Sequence, residues 1–196
     1  MTMNYKFLCF LAIVFLLVSS CGDSYIPKPR GYFRIDFPEK NYQAFDTTFP
    51  YAFEYPVYTK IFPDSSALAE PFWINIVYPA FHAQVHISYK VLRGDLKDYL
   101  EDSRTLVNKH IPKASSISQR EYSDNINRVF GLVYDIRGSE AASTCQFYLT
   151  DSTTHFLRGA LYFNLVPNND SLSPVIDFLK ADIEHMISTF RWKNLP

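Results

Sequence analysis

Three residue types that make up hydrolase triads lie close together in the second half of the chain: Asp151, Ser152 and His155. In a serine hydrolase, an imidazole takes the proton of the serine hydroxyl and a carboxylate orients the imidazole. The polar letters DSTT between two apolar runs indicate a hairpin turn instead, where an Asp more often accepts backbone N–H groups. The sequence also lacks a G-x-S-x-G nucleophile elbow. We therefore expect a turn here and no catalytic triad.

Two histidines four residues apart, His82 and His86, have the spacing that brings metal ligands together on a helix. The residues between and after them alternate as in a strand, where this spacing separates the two Cα atoms by roughly 13 Å. Zinc holds its ligands at about 2 Å, so the pair cannot share one ion. Clustered glycines of the phosphate-binding kind are also missing. We expect ordinary histidines on a sheet surface, and no metal or cofactor.

The three cysteines have different expected fates. Cys145 could act as a nucleophile, but a small buried side chain is the commoner role of a lone cysteine. Cys21 follows a short basic start containing Lys6, an apolar run over 7–18 and the tripeptide Val18-Ser19-Ser20. This order of residues is typical of a lipobox, in which the thiol receives a diacylglycerol and the chain is then cut before the cysteine. Since Cys9 would be lost with the signal, the mature chain has no pair for a disulfide.

The apolar run of 12 residues would extend about 18 Å as a helix, well short of the ~30 Å hydrocarbon core of a bilayer. It is therefore interpreted as a cleaved export signal over residues 1–20. Two or more acyl chains on Cys21 would anchor the protein stably. Residues 21–48 are expected to form the anchor and a proline-rich, extended tether. A single domain is expected over 49–196, with regular structure starting at Phe49.

Alternating large and small residues over 49–55 have the period of two that marks a half-buried strand. Two further strands are expected over 72–78 and 83–92, joined as a hairpin. Residues 95–109 then change to a helical period, with Asp95 as N-cap and Pro112 just beyond the end. The expected apolar face of this helix contains Leu96, Tyr99, Leu100, Leu106 and Val107.

The remaining strands are expected over 118–122, 128–137, 143–150 and 155–166. A second helix should begin with Ser173 as N-cap and Pro174 at the first helical position. Its apolar stripe consists of Ile176, Leu179, Ile183, Met186, Ile187 and Phe190. The order of strands, helix, strands, helix predicts an α+β domain, with a mainly antiparallel sheet covered by two helices. This arrangement is similar to the Mog1/PsbP-like architecture.

Charge and aromatic content narrow the classes of partner. The signal holds one of the 19 basic residues and none of the 20 acidic residues, so the mature chain has 18 basic and 20 acidic residues, a net charge of −2. With no basic run or zinc-finger spacing, we expect no binding to nucleic acid. A different possibility is an aromatic platform for glycan or peptide. Its candidate members are Tyr51, Phe53, Tyr55, Tyr58, Phe72, Trp73 and Tyr78.

Four segments of the mature chain together resemble one protein family. They are PKPRGYFRI over 27–35, FYLTDS over 147–152, HFLRGALYF over 155–163 and FRW over 190–192. The chain resembles the gliding motility lipoprotein GldD of Bacteroidetes along essentially its whole mature length. The resemblance implies a membrane-anchored accessory component that is required for gliding, in a lineage where gliding depends on type IX secretion. It implies no catalytic residue.

Under that resemblance the expected partners are other proteins of the gliding and type IX secretion machinery. The candidate docking residues are Arg30, Arg34 and Arg158, although solvated charge or structural pairing is an equally good interpretation of these arginines. A periplasmic module that binds glycan or peptide is the alternative function, and a hydrolase around Asp151 and His155 is a third. Gly22 after the cysteine and the absence of an acidic run beyond it favour a periplasm-facing position, with the choice of membrane left open.

Overall fold

The computed structural model describes residues 34–166 and 168–193. Ten strands and two α-helices are found in this part of the chain, and their bounds follow in order. They are β1 Tyr42–Phe45, β2 Tyr51–Pro56, β3 Lys60–Pro63, β4 Ile74–Tyr78, β5 Ala83–Val91, α1 Leu96–Asn108, β6 Ser116–Asp124, β7 Val129–Arg137, β8 Ser143–Thr150, β9 His155–Phe163, α2 Asn169–Ser188 and β10 Arg191–Trp192. Short 3₁₀ turns lie at Pro79–Phe81 and Ile111–Lys113.

The strands form two antiparallel sheets. Seven strands pair in the order β3-β4-β5-β9-β8-β7-β6, and three pair in the order β1-β2-β10. The central pairing of β5 with β9 runs over nine residue pairs, from Ala83 opposite Phe163 to Val91 opposite His155. Hairpins connect most neighbours, as the short polar turns between apolar runs predict. The expectation of an α+β domain with a mainly antiparallel sheet and two helices is confirmed.

One face of the seven-stranded sheet is closed. Every second side chain of β4, and of β5 as far as Tyr89, is at most 2% exposed, and these residues are Ile74, Ile76, Tyr78, Ala83, Val85, Ile87 and Tyr89. Helix α2 lies against this face, where Lys180 binds Asp135 and Glu184 binds Arg120. The three-stranded sheet adds rings to the same core, such as that of Tyr51 at 5.8 Å from the ring of Tyr89. We call this the closed face.

Helix α1 covers only part of the opposite face. Its Val107 packs with Tyr134 and Ile136 of β7, and its Tyr99 stacks on Phe156 of β9 at 5.4 Å. Farther across the sheet, most intervening side chains of β4 and β5, and Arg158 and Tyr162 of β9, stay partly accessible. We call this region the open face, and define it by Asn75, Gln84, His86, Ser88, Arg158 and Tyr162. The alternation of buried and half-buried positions follows from the period of two along a strand.

Several predicted boundaries are wrong. Regular structure begins before Phe49, because β1 pairs with β2 from Tyr42 opposite Pro56 to Phe45 opposite Phe53. The compact unit that contains both sheets starts at Asp36 rather than at residue 49. Strands β3 and β10 were not expected, since four-residue and two-residue strands are too short to show a period.

The two helix starts also differ from the expectation. Helix α2 begins at Asn169, so Pro174 lies inside it rather than at the first position. A proline there removes one N–H to the carbonyl four residues back, and the packed apolar stripe outweighs that loss. The Asp95 side chain makes no cap bond to α1, and its Oδ1 accepts the backbone N–H of Arg93 at 2.8 Å instead.

A buried carboxylate ties the start of the compact unit to α2. Asp182 has a fully buried side chain on the apolar stripe of the helix. Its Oδ1 accepts Lys40 Nζ at 2.6 Å and the Tyr42 hydroxyl at 3.0 Å, and its Oδ2 accepts the Tyr58 hydroxyl at 2.7 Å. Lys40 also lies 3.4 Å from the centre of the Phe178 ring. Residues 40–45, expected to belong to the tether, are therefore part of the folded unit.

Candidate functional site

The turn between β8 and β9 is built around the Asp151 carboxylate. Its Oδ1 accepts the backbone N–H groups of Thr153, Thr154 and His155 at 3.0, 2.8 and 2.8 Å, and its Oδ2 accepts the Thr153 hydroxyl at 3.0 Å. Burial pushes the pKa of Asp151 up, but these donors outweigh it and hold the pKa below the ordinary value. The carboxylate thus caps the turn, as the sequence predicted, and binds the backbone of His155 rather than its ring.

The His155 imidazole is buried on the closed face. Its Nδ1 lies 2.6 Å from the Tyr89 hydroxyl, and its ring stacks on Trp192 at 5.0 Å. Burial lowers the pKa of His155, and the charge of Asp151 opposes that shift. Ser152 is exposed, with φ at 68°. In the part of the chain that the structure describes, the three residues do not assemble the serine, imidazole and carboxylate relay of a hydrolase.

A pocket of about 350 Å³ lies beside this turn. Its walls come from Asn127, Arg128, Asp151, Thr153, Thr154, His155, Trp192 and Lys193. Lys193 is engaged elsewhere, because its Nζ binds Asp46 at 2.6 Å. The Arg128 guanidinium approaches the Asp151 carbonyl only at 3.5 Å. The pocket therefore has cationic side chains at its rim and the stacked rings of His155 and Trp192 in its wall. It does not bring a base into contact with a nucleophile.

The other candidate residues are dispersed. His82 follows a 3₁₀ turn with φ at 47°, and His86 lies on β5 of the open face. Among residues 34–166 and 168–193, no group of three or more His, Cys, Asp or Glu side chains could hold a metal ion. Cys145 is 3% exposed, and burial raises the pKa of its thiol to about 12. A nucleophilic cysteine needs a thiolate, so this position does not support that role.

Several members of the possible aromatic platform have structural roles instead. Tyr51, Phe53 and Tyr78 are core residues with at most 2% exposure. Tyr58 binds Asp182, and Trp73 donates its indole N–H to the Tyr89 carbonyl at 2.9 Å. The alternation of rings along 49–55 is explained by packing between the two sheets.

Arg30, the first of the three candidate docking arginines, lies outside the described residues. The predicted lipidation site Cys21 lies outside them as well. Arg34 is exposed. Arg158 is half-buried at the centre of the open face, where its Nη2 donates to Gln146 Oε1 at 2.6 Å. Gln146 Nε2 in turn donates to His110 Nε2 at 2.8 Å. Burial lowers the pKa of Arg158, and the nearby Tyr162 opposes that shift.

The neighbours of Arg158 were not identified from the sequence. Strand register places Ser88 opposite Arg158, and places His86 and Gln146 on either side of Ala160. A signal for them does exist: polar residues lie at every second position of β5, at 84, 86 and 88, and at positions 158 and 162 of β9. On a sheet covered on both faces these positions would be apolar.

The comparisons with known proteins bear on the whole site. A family model described as gliding motility lipoprotein GldD matches residues 22–192. This chain belongs to the GldD family. The match confirms the resemblance seen in the sequence and includes Arg30, Arg34 and Arg158. Membership in GldD, a lipoprotein family, implies a membrane-anchored location in the cell envelope. Within the ranges that the structure describes, no helix is long and apolar enough to cross a bilayer.

Other comparisons are more distant. No curated protein matches this GldD-family chain. Among solved structures, it is similar to the solution structure of cyanobacterial PsbP (CyanoP) from Synechocystis sp. PCC 6803. That match has 12% sequence identity and a TM-score of 0.48, and it covers 90% of this chain and 99% of the other.

Proposed function

We propose that this chain is a non-enzymatic, lipid-anchored accessory component of the gliding and type IX secretion machinery, which binds protein partners through its open face. The observation that carries the proposal is the half-buried Arg158 at the centre of a polar, partly accessible sheet surface. Arginine and tyrosine side chains in such positions are typical of the energetic centres of interfaces. The dispersed triad residues and the protonated Cys145 support a role without catalysis.

The lipid anchor is proposed at Cys21, with two or more acyl chains holding the domain at a membrane. The test is metabolic labelling with radioactive palmitate in wild type and in Cys21→Ala. We expect label in the wild type and in the matched control Cys145→Ala, no label in Cys21→Ala, and loss of gliding only in that variant. Labelled Cys21→Ala protein would overturn the proposed anchor, and normal gliding without label would overturn the need for it.

The proposed position is periplasm-facing. Protease added to intact cells should leave the domain uncut, and the same protease should digest it after the outer membrane is permeabilised. Digestion in intact cells would show a surface location instead.

The alternative function, a periplasmic module that binds glycan or peptide, is favoured by the pocket beside His155 and Trp192. Stacked rings with a cationic rim suit a sugar or a peptide end. Saturable binding of wall or capsule fragments that is lost in Trp192→Ala, while Trp73→Phe binds normally, would favour this function over docking.

A further inference from the structure

Arg158 is a cation that is partly removed from water and stabilised by neutral groups. Its contacts are the Gln146 carboxamide oxygen at 2.6 Å and the hydroxyl of Tyr162. Among residues 34–166 and 168–193, no Asp or Glu oxygen lies within 4.0 Å of the side-chain nitrogens of Arg158. An arginine side chain stays charged at every physiological pH, so it cannot escape this cost by losing a proton.

The two imidazoles beside Arg158 are held neutral. Because an arginine only donates, Gln146 must present its oxygen to Arg158 and its NH₂ to His110, whose Nε2 then accepts. On the other side, Gln84 Nε2 lies 3.0 Å from His86 Nε2. Burial and the charge of Arg158 lower the pKa of both histidines, and only Asp64 acts against this at His86. The centre of the open face thus carries one positive charge.

A single partly desolvated guanidinium is best compensated by one carboxylate, which accepts two parallel N–H groups of the planar fork. We propose that the open face binds a partner protein that places one Asp or Glu side chain against Arg158. This inference rests on the proposed function, because it assigns chemistry to the partner that the docking role requires.

The charge pattern favours a protein over an anionic polymer or a lipid surface. Polymers and membranes with many negative charges are bound by clusters of basic residues, each adding a modest amount of free energy. Here Arg158 is surrounded by amides, imidazoles and a tyrosine, and Lys90, the next cation along this side of β5, is paired with Glu70, in a mature chain of net charge −2. Amide and tyrosine groups suit the mixed donors and acceptors of a protein surface.

The experiment is a charge reversal in cells that express the full chain. Arg158→Glu places two carboxylates face to face and should abolish gliding, and Arg158→Gln should weaken partner binding roughly 30-fold by removing one member of a desolvated pair. Arg93→Glu, at an exposed arginine, is the matched control and should glide normally. Protein abundance and melting temperature report on folding. If Arg158→Glu does not accumulate, Arg158→Gln replaces it throughout.

The partner residue is then sought among suppressors of Arg158→Glu. We expect restored gliding from changes of Asp or Glu to Lys or Arg in another envelope protein. A photoreactive amino acid at Ser88, which lies opposite Arg158 on β5, should crosslink to a peptide containing that acid. The crosslink yield should fall in Arg158→Gln, whereas a photoreactive residue at the β6 edge position Ser118 should not give this adduct.

The outcomes separate the two proposals. The proposal of a carboxylate partner would be overturned if folded Arg158→Glu protein supported normal gliding, or if the photoreactive residue formed adducts only with glycan or lipid. In either case, a deletion strain that does not glide would still support the docking role. Suppressors that lie only within this chain would mean that Arg158 acts in folding, and would also overturn it. Normal gliding of the deletion strain would overturn the proposed function itself.

Discussion

Two charged side chains are removed from bulk water, one on each side of the seven-stranded sheet. Different kinds of neighbouring group stabilise the two charges. Asp182 on the closed face is fully buried, and it is bound by Lys40, Tyr42 and Tyr58 of the same chain. Arg158 on the open face is bound by a carboxamide and a tyrosine. A buried charge that is neutralised by residues of the same chain stabilises the fold. A buried charge with only neutral neighbours can instead bind a counterion from another molecule.

The largest effect is expected from Asp182→Ala. Removing the carboxylate leaves Lys40 without its counterion and two tyrosine hydroxyls without an acceptor, and breaking such a buried pair costs about 3–5 kcal/mol. Urea unfolding of the purified protein measures this loss. The control is Glu184→Gln on the same helix, whose exposed pair with Arg120 is worth at most about 1 kcal/mol. Equal losses in the two variants would show that the burial of Asp182 adds nothing to the free energy of its contacts.

A smaller effect is expected from Tyr58→Phe. The ring contact with Phe178 at 5.9 Å is kept, and only the hydrogen bond to Asp182 Oδ2 is lost. Hydrogen bonds to charged groups contribute about 1.5–3 kcal/mol, so the free energy of unfolding should fall by that amount. Tyr55→Phe is the matched control, and a loss as large there would show that the hydroxyl of Tyr58 contributes nothing specific.

Arg158→Gln should change stability little, by less than about 1 kcal/mol, because it removes a desolvated charge together with one hydrogen bond. Colony spreading and the yield of the partner crosslink should nevertheless fall. The comparison of melting temperature with colony spreading checks this separation. A loss of stability as large as that of Asp182→Ala would place Arg158 in the same structural class.

The smallest effect concerns pH. Burial and, after it, Arg158 lower the pKa of His110 in the folded state, so the neutral imidazole is favoured. Stability is therefore complete above the unfolded value of about 6.5 and falls as the pH drops below it. In Arg158→Gln the pKa of His110 should rise toward the ordinary value. The free energy of unfolding that is lost at acid pH should then be smaller by about a few tenths of a kcal/mol. Titration of the histidine ring protons by NMR measures the shift, and an unchanged pKa would contradict the proposed influence of Arg158.

Elements with a clear period were predictable from sequence. Strand β8 runs from Ser143 to Thr150 as expected, and the apolar stripe of α2 is buried at each predicted position. The turn role of Asp151 was also predictable, because an Asp before Ser and Thr binds nearby N–H groups. The start of α2 was not, since Ser173 and Pro174 form a strong local start signal, whereas the helix begins at Asn169, whose Nδ2 donates to the carbonyls of Gly138 and Ala141.

The candidate site was predictable only in part. Arg158 was singled out, but its neighbours were not, because Gln146 and His110 reach it from β8 and from the end of α1. Asp182 was overlooked because an acid within an apolar stripe has no visible reason until its partners are known. The lipid anchor at Cys21 stays a prediction, which rests on residues 6–21 of the sequence alone.

By itself, the sequence determined the two helices, most strands and the α+β class, because each depends on residues near one another in the chain. The tertiary structure decided which charges are compensated. Lys40 and Asp182 are 142 residues apart, and Ser88 and Arg158 are 70 apart. Strand order and register bring such residues together, and a local pattern does not specify them. That is why the arginine is visible in the sequence, whereas the absence of an Asp or Glu counterion among residues 34–166 and 168–193 is visible only in the fold.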